Sequence, residues 1–185
     1  MIIYNWNVRG LNLALKQKEV KKFILDNDVA IMGISETKVK LVNQDSIQSN
    51  IFSFWAFISN STTESAGRIW VAWDPNKVSM QPLISNPQLI HVGITSVDLK
   101  IKFEATFIYA FNFGSQRVVL WNALRNLSRS MGSTPWLTLG DFNVTLKLEE
   151  IQGTDKSNAQ DRTDFLNCLT DSYLVDLRYI GIYYS

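Results

Sequence analysis

The sequence predicts a mixed α/β (α+β) sandwich, and three observations carry that expectation. Helical periodicity appears near the start, in the middle and toward the end of the chain, with a β-rich stretch from about residue 52 to 108 between the first two. Apolar residues make up 46% and charged residues 19%, the balance of a chain that buries a core rather than of a disordered or coiled-coil one. Aromatic residues reach 12%, which favours sheets with large packed faces. A length of 185 residues makes residues 1–185 one expected domain, able to bury about 70% of its unfolded surface.

Each element has its own reason. Ile2 to Val8 is an apolar β-type run ended by Arg9-Gly10. Leu13 to Asn27 reads as a helix with Leu13, Val20, Phe23 and Ile24 on one face and Lys16, Lys18, Lys21 and Lys22 elsewhere. Val29 to Ile34 is short and continuously apolar, as a strand covered on both faces is. Phe52 to Ser59, Arg68 to Trp73 and Val78 to Ile84 read as strands separated by polar or Asp-Pro-Asn turns. Leu89 to Thr95 and Val97 to Ile108 alternate. Gln116 to Met131 returns to helix, with Leu120, Leu124, Leu127 and Met131 on one face. Trp136 to Leu139 is a strand running into Gly140-Asp141, Leu146 to Asn158 a polar loop, and Asp161 to Asp171 a helix with Phe165, Cys168 and Leu169 inside. Leu174 to Leu177 opens a further strand-like segment, and RYIGIYYS ends on apolar aromatic residues, the pattern expected of a chain cut short or completed by something else.

Composition excludes several chemistries. Eighteen basic against seventeen acidic residues leave a net charge of +1, with no polybasic arm or acidic tail. The first 40 residues are locally basic, seven Lys+Arg against four acids, as suits a polyanion partner or a solvated helix face. One cysteine, Cys168, excludes an internal disulfide and a cysteine-rich zinc site. One histidine, His91, excludes any mechanism needing two; it lies in an alternating strand and reads as a structural residue. No segment has the ~18 to 20 consecutive apolar residues of a membrane span, and MIIYNWNV lacks the features of a signal peptide.

Four polar islands stand at the ends of expected strands: Asn5-Trp6-Asn7-Val8-Arg9-Gly10-Leu11, Ile34-Ser35-Glu36-Thr37-Lys38, Ile108-Tyr109-Ala110-Phe111-Asn112 and Leu139-Gly140-Asp141-Phe142-Asn143-Val144. Strand ends are where a rigid scaffold presents reactive groups. Each island alone also suits a turn or a helix start. Together they supply carboxylates, amides and a phenol. Carboxylate oxygens suit Mg²⁺, which takes one or two of them and keeps waters. Amides and a phenol donate to phosphate oxygens where charge develops. The combination points to metal-assisted phosphoester hydrolysis.

On these motifs the sequence resembles the endonuclease/exonuclease/phosphatase (DNase I-like) superfamily, from residue 2 to 185. NWNVRGLN, SETK, IYAFN and LGDFNV are similar to four of its motifs. The texture of Gly67-Arg68-Ile69-Trp70-Val71-Ala72-Trp73-Asp74-Pro75, PWLTLGDFN and Asp176-Leu177 is closest to endonuclease domains of plant LINE-type non-LTR retrotransposons. The resemblance implies a four-layer α/β sandwich, two packed sheets with outer helices, and a Mg²⁺-dependent nuclease (Mn²⁺ as alternative) acting on the DNA backbone. It assigns Glu36 as the metal carboxylate, with Asn7 and Asp141 supporting the metal. Asp141 would orient or deprotonate the attacking water, and Asn143 would hold that water or a phosphate oxygen. Tyr109 would donate to the phosphate, while Asn112, Lys38 and Arg9 would bind substrate. A nuclear location follows by analogy alone. The superfamily's closing Ser-Asp-His motif is missing from these residues, so low or absent activity is expected. The alternatives are a non-enzymatic remnant that binds nucleic acid or protein, and a small-molecule or lipid phosphodiesterase.

Overall fold

The computed structural model describes residues 1–63, 65–98, 100–145 and 159–177. The chain forms two compact units, one from residues 1–110 and 134–141, the other from residues 111–133 and from 142 onward.

The first unit contains two mixed four-stranded sheets. In the first sheet, β1 (Ile3–Asn7) leads through α1 (Ala14–Asp26) to β2 (Ile31–Ser35), and this helical crossover is what lets β1 and β2 run parallel. After α2 (Leu41–Ile51) come β3 (Ala56–Ser59) and β4 (Ile69–Trp73), both antiparallel to their neighbours, giving the order β1-β2-β4-β3. The second sheet has β5 (Val78–Asn86), β6 (Leu89–Ser96) and β7 (Lys102–Tyr109) as an antiparallel meander, with β8 (Trp136–Asp141) parallel to β7. Pro82 sits in the edge strand β5, next to a register shift, where a missing N–H costs least.

All five residues of β2 and of β4 are buried, as central strands covered on both sides must be. Ile31, Val71 and Trp73 of the first sheet pack with Ile90, Val92, Ala105 and Phe107 of the second. On the opposite face of the first sheet, Met32, Ile34, Trp70 and Ala72 pack with Val20 and Ile24 of α1 and Ile47 and Ile51 of α2. Each such apolar side chain contributes about 1.5–3 kcal/mol by burial. The expected α/β sandwich of two packed sheets with helices is thus present.

Three local expectations are corrected. Leu13 is 73% exposed, because it is the extended N-cap of α1, one residue before the helical face begins. Gln17 takes the inward place and donates from Nε2 to the Leu11 carbonyl at 3.0 Å. The strand expected from Phe52 begins only at Ala56. Phe52 caps α2, and Phe54, at φ 83°, turns the chain first. The strand expected from Val97 likewise begins at Lys102, after a turn.

In the second unit, α3 (Gly114–Met131) buries Leu120, Leu124, Leu127 and Met131, the face expected of it. α4 (Ala159–Asp171) lies against it, with Trp121 stacked on Phe165 at a centroid distance of 5.2 Å and Phe142 beside Phe165 at 5.0 Å. Leu174 to Leu177 is not in a strand, and Val175 and Leu177 are exposed. Those two apolar side chains find no cover among the described residues, and apolar character alone does not make a strand. The loop expected at residues 146–158 and the apolar ending at residues 178–185 lie outside the described residues. Among the described residues no helix is long and apolar enough to cross a membrane.

Candidate active site

The first and second islands lie side by side because β1 and β2 are parallel and end together: Asn7 is the register partner of Ser35, one residue before Glu36. Beyond the pairing, the two segments stay joined. Val8 N–H donates to the Ser35 carbonyl at 3.1 Å and Leu11 N–H to the Thr37 carbonyl at 2.9 Å. Thr37 is buried, and its hydroxyl donates to the Gly67 carbonyl at 3.0 Å, which pins the second island to the approach of β4.

Backbone conformation sharpens the turn at each strand end. Arg9, Glu36, Lys38 and Asn143 all have positive φ, between 50° and 56°. A non-glycine residue in this left-handed region costs on the order of 1–2 kcal/mol and persists only where the surroundings dictate it. Four of the eight such residues among those described belong to the islands. At Glu36 the left-handed turn takes the chain out of the wholly buried β2 and leaves the carboxylate side chain 17% exposed.

The fourth island meets the first across the two sheets. Asn7 Nδ2 donates to Asp141 Oδ2 at 2.8 Å, while Asn7 Oδ1 accepts the Arg9 N–H at 3.1 Å. Burial alone raises the Glu36 carboxyl. A hydrogen bond and the charge of Lys38, a hydrogen bond with Asn7 and the charge of Arg9 outweigh it and hold Glu36 below its ordinary range. The Lys38 ammonium lies 2.6 Å from Glu36 Oε1. The Asn7 amide thus holds Asp141 from the end of the second sheet and stands beside Glu36 at the end of the first. Asp141 reaches its place through Gly140, whose φ of 139° and contact with the Ile108 carbonyl admit no side chain.

Tyr109 is the register partner of Asp141 in the parallel β7–β8 pair, and Ala110 N–H donates to the Asp141 carbonyl at 2.8 Å. Tyr109 is buried, with the Arg68 guanidinium 5.5 Å from its ring centroid, a cation–π contact. Arg68, though part of the tryptophan-rich stretch, escapes any sequence reading as a site residue. Only the packing of β4 in the first sheet against β7 in the second brings it to the tyrosine.

Asn112 and Asn143 belong to the second unit. Asn112 is exposed and Asn143 half-buried, and both carbonyls accept from Arg117. His91 stands apart from these groups, as expected. It is buried in β6, with Nδ1 2.9 Å from Thr106 Oγ1 and Nε2 2.9 Å from Glu104 Oε2.

The donor set suits a hard divalent cation that keeps part of its water. Glu36 is held ionised, already attracts a cationic group and is open enough for an aquated ion. Among the described residues no group of three or more His, Cys, Asp or Glu is poised to hold a metal by protein ligands alone. Ligation by one or two carboxylates plus water is the mode that remains open to these side chains.

The fold recurs in solved structures. The chain superposes on the AP endonuclease LMAP from Leishmania major with a TM-score of 0.68 at 15% identity, covering 91% of this chain and 65% of that one. It superposes on the endonuclease domain of TRAS1, a telomere-specific non-LTR retrotransposon, with a TM-score of 0.65 at 15% identity, covering 91% and 70%. An endonuclease/exonuclease/phosphatase family protein from Bacteroides thetaiotaomicron gives 0.56 at 13% identity, covering 76% and 62%. The chain thus spans just under two thirds of the length of the Leishmania protein. No protein-family model and no curated sequence matches it. At these identities the likeness shows a shared fold, the α/β sandwich of DNase I-like proteins.

Proposed function

We propose that residues 1–185 form an endonuclease-type domain of the endonuclease/exonuclease/phosphatase superfamily that hydrolyses phosphodiester bonds in DNA with Mg²⁺, and that it derives from a LINE-type non-LTR retroelement. The observation that carries this reading is the Asn7–Asp141 hydrogen bond, which brings the end of the second sheet to the end of the first, where Glu36 follows the register partner of Asn7. The fold shared with an AP endonuclease and with a retrotransposon endonuclease domain supports the substrate class.

Mg²⁺, or Mn²⁺ in its place, held by Glu36 with Asn7 and Asp141 beside it, would supply positive charge against the phosphate. Asp141 orients the attacking water and accepts its proton, and the Asn7 N–H fixes the carboxylate for that task. Tyr109 donates to the phosphate as negative charge develops, with the Arg68 guanidinium over its ring. Asn143 holds the water or a phosphate oxygen. Asn112, Arg9 and Lys38 would engage the backbone of the nucleic acid, Lys38 from its place beside Glu36.

These residues supply no histidine to the phosphate, since His91 is committed to Thr106 and Glu104. Groups that act as a unit lose rate steeply when one is missing, so slow turnover is expected of residues 1–185 alone. The test is nicking of supercoiled DNA by the purified chain with Mg²⁺ or with EDTA, beside Asp141→Ala. Mg²⁺-dependent nicking that disappears in the variant supports the reading. Salt-sensitive DNA binding with no nicking, unchanged in Asp141→Ala and Glu36→Ala, would replace it with a non-enzymatic nucleic-acid-binding module.

A further inference from the structure

Arg117 is an arginine in the first turns of α3, only 2% exposed, and its guanidinium works on three backbone carbonyls at once. Its Nη1 group donates to Phe111 O at 3.1 Å, Asn112 O at 3.0 Å and Asn143 O at 2.8 Å, and its Nη2 group donates to Asp161 Oδ2 at 2.8 Å. Two of these carbonyls belong to the residues assigned above to the phosphate and the water. The third precedes Asn112. Taking a guanidinium out of water is costly unless it is paired and hydrogen-bonded. Here Asp161, from the first turn of α4, neutralises it, and the three carbonyls share the two N–H groups of Nη1, while the buried Nε–H has no partner among the described residues. Asn143 also needs holding, since its φ of 50° is left-handed for a residue with a side chain.

We infer that Arg117 is a positioning residue: within the second unit it clamps the segment after β7 to the segment after β8, and so fixes Asn112 and Asn143 for the roles proposed for them. The inference rests on the function proposed above for those two asparagines. The guanidinium touches neither substrate nor reacting atoms. A lysine cannot replace it, because one ammonium on its stem cannot reach both Asp161 and the three carbonyls with directed bonds.

The test pairs backbone 15N relaxation with kinetics on the full chain. The amides of Asn112, Phe113 and Val144 share peptide planes with the three carbonyls and report whether those planes are held. In Arg117→Lys their order parameters should fall from the rigid level of about 0.85 to below about 0.6, while the amides of β2 and β4 stay rigid. On a labelled DNA duplex, kcat should fall by about 10-fold or more, as expected when alignment is lost. Unchanged order parameters at the three amides in a folded Arg117→Lys would overturn the inference. Should that variant fail to fold, Asp161→Asn decides. It keeps a hydrogen-bond acceptor but removes the charge that aims the guanidinium, so the order parameters of the same amides should fall, and no fall overturns the inference. Lower order parameters in variants of a chain whose wild type never nicks DNA would instead refute the proposed function and leave the clamp standing.

Discussion

Replacing Gly33 with alanine tests how the two sheets meet. Gly33 lies in the middle of β2, and a Cβ built there falls 2.5 and 2.8 Å from Cδ1 and Cε1 of Phe107 and 2.5 Å from Asn5 Oδ1. Carbon atoms pack best at about 3.5–4.0 Å, so roughly 1 Å of space must open. Phe107 is wholly buried in the core between the sheets and cannot swing into solvent. Overpacking of this kind costs about 1–3 kcal/mol, and the doubled clash with a ring and an amide places Gly33→Ala near the upper end. For a chain of this size about 3 kcal/mol lowers Tm by roughly 6–12 °C. Urea unfolding followed by tryptophan fluorescence measures the cost. In a Phe107→Leu background the same substitution should cost less than half as much, a coupling above about 1 kcal/mol. A cost below about 0.5 kcal/mol, or equal costs in both backgrounds, would refute the packing described for the two sheets.

Other outcomes follow from single contacts. Asn7→Ala removes the Asp141 hydrogen bond and one of the interactions that keep the Glu36 carboxyl low; the Glu36 pKa, followed by carboxyl NMR, should rise, and nicking should drop by about 10-fold or more. Asn60 accepts the Arg68 and Ile69 N–H groups and donates to the Asn86 and Pro87 carbonyls. Asn60→Ala should therefore cost about 2–4 kcal/mol in urea unfolding. Burial holds the His91 pKa below its ordinary value despite Glu104. Neutral His91 thus gives its full stabilisation above about pH 6.5, the unfolded value, and loses it as the pH falls toward the folded pKa. His91→Gln should flatten the fall in urea midpoint between pH 7.5 and 5.5, and an unchanged slope would contradict that assignment.

The elements legible in the sequence are those whose periodicity matches their burial. β2 and β4 read as continuous apolar runs because both faces are covered, and α3 shows its buried leucines at helical spacing. α2 escaped because Leu41 and Val42 are exposed while only Ile47 and Ile51 are buried, too sparse a stripe to stand out. The four islands were legible as strand ends carrying polar groups. Which of them touch was not. The Asn7–Asp141 bond spans 134 residues, and the clamp of Arg117 on Asn143 and Asp161 spans 26 and 44. An arginine in a helix reads as a surface charge until the loops that bury it are in place.

Because slow turnover is expected of residues 1–185, cation binding tests the central claim more directly than rate. We would titrate Mn²⁺ into the chain and follow the free-ion paramagnetic resonance signal, for wild type and for Glu36→Gln, with Mg²⁺ as competitor. The account predicts one Mn²⁺ bound by the wild type, displaced by Mg²⁺, with affinity at least about 10-fold weaker in Glu36→Gln, a difference of about 1.4 kcal/mol. Equal binding by the two proteins, or no binding by either, would contradict the assignment of Glu36 as the metal carboxylate and with it the metal-assisted mechanism.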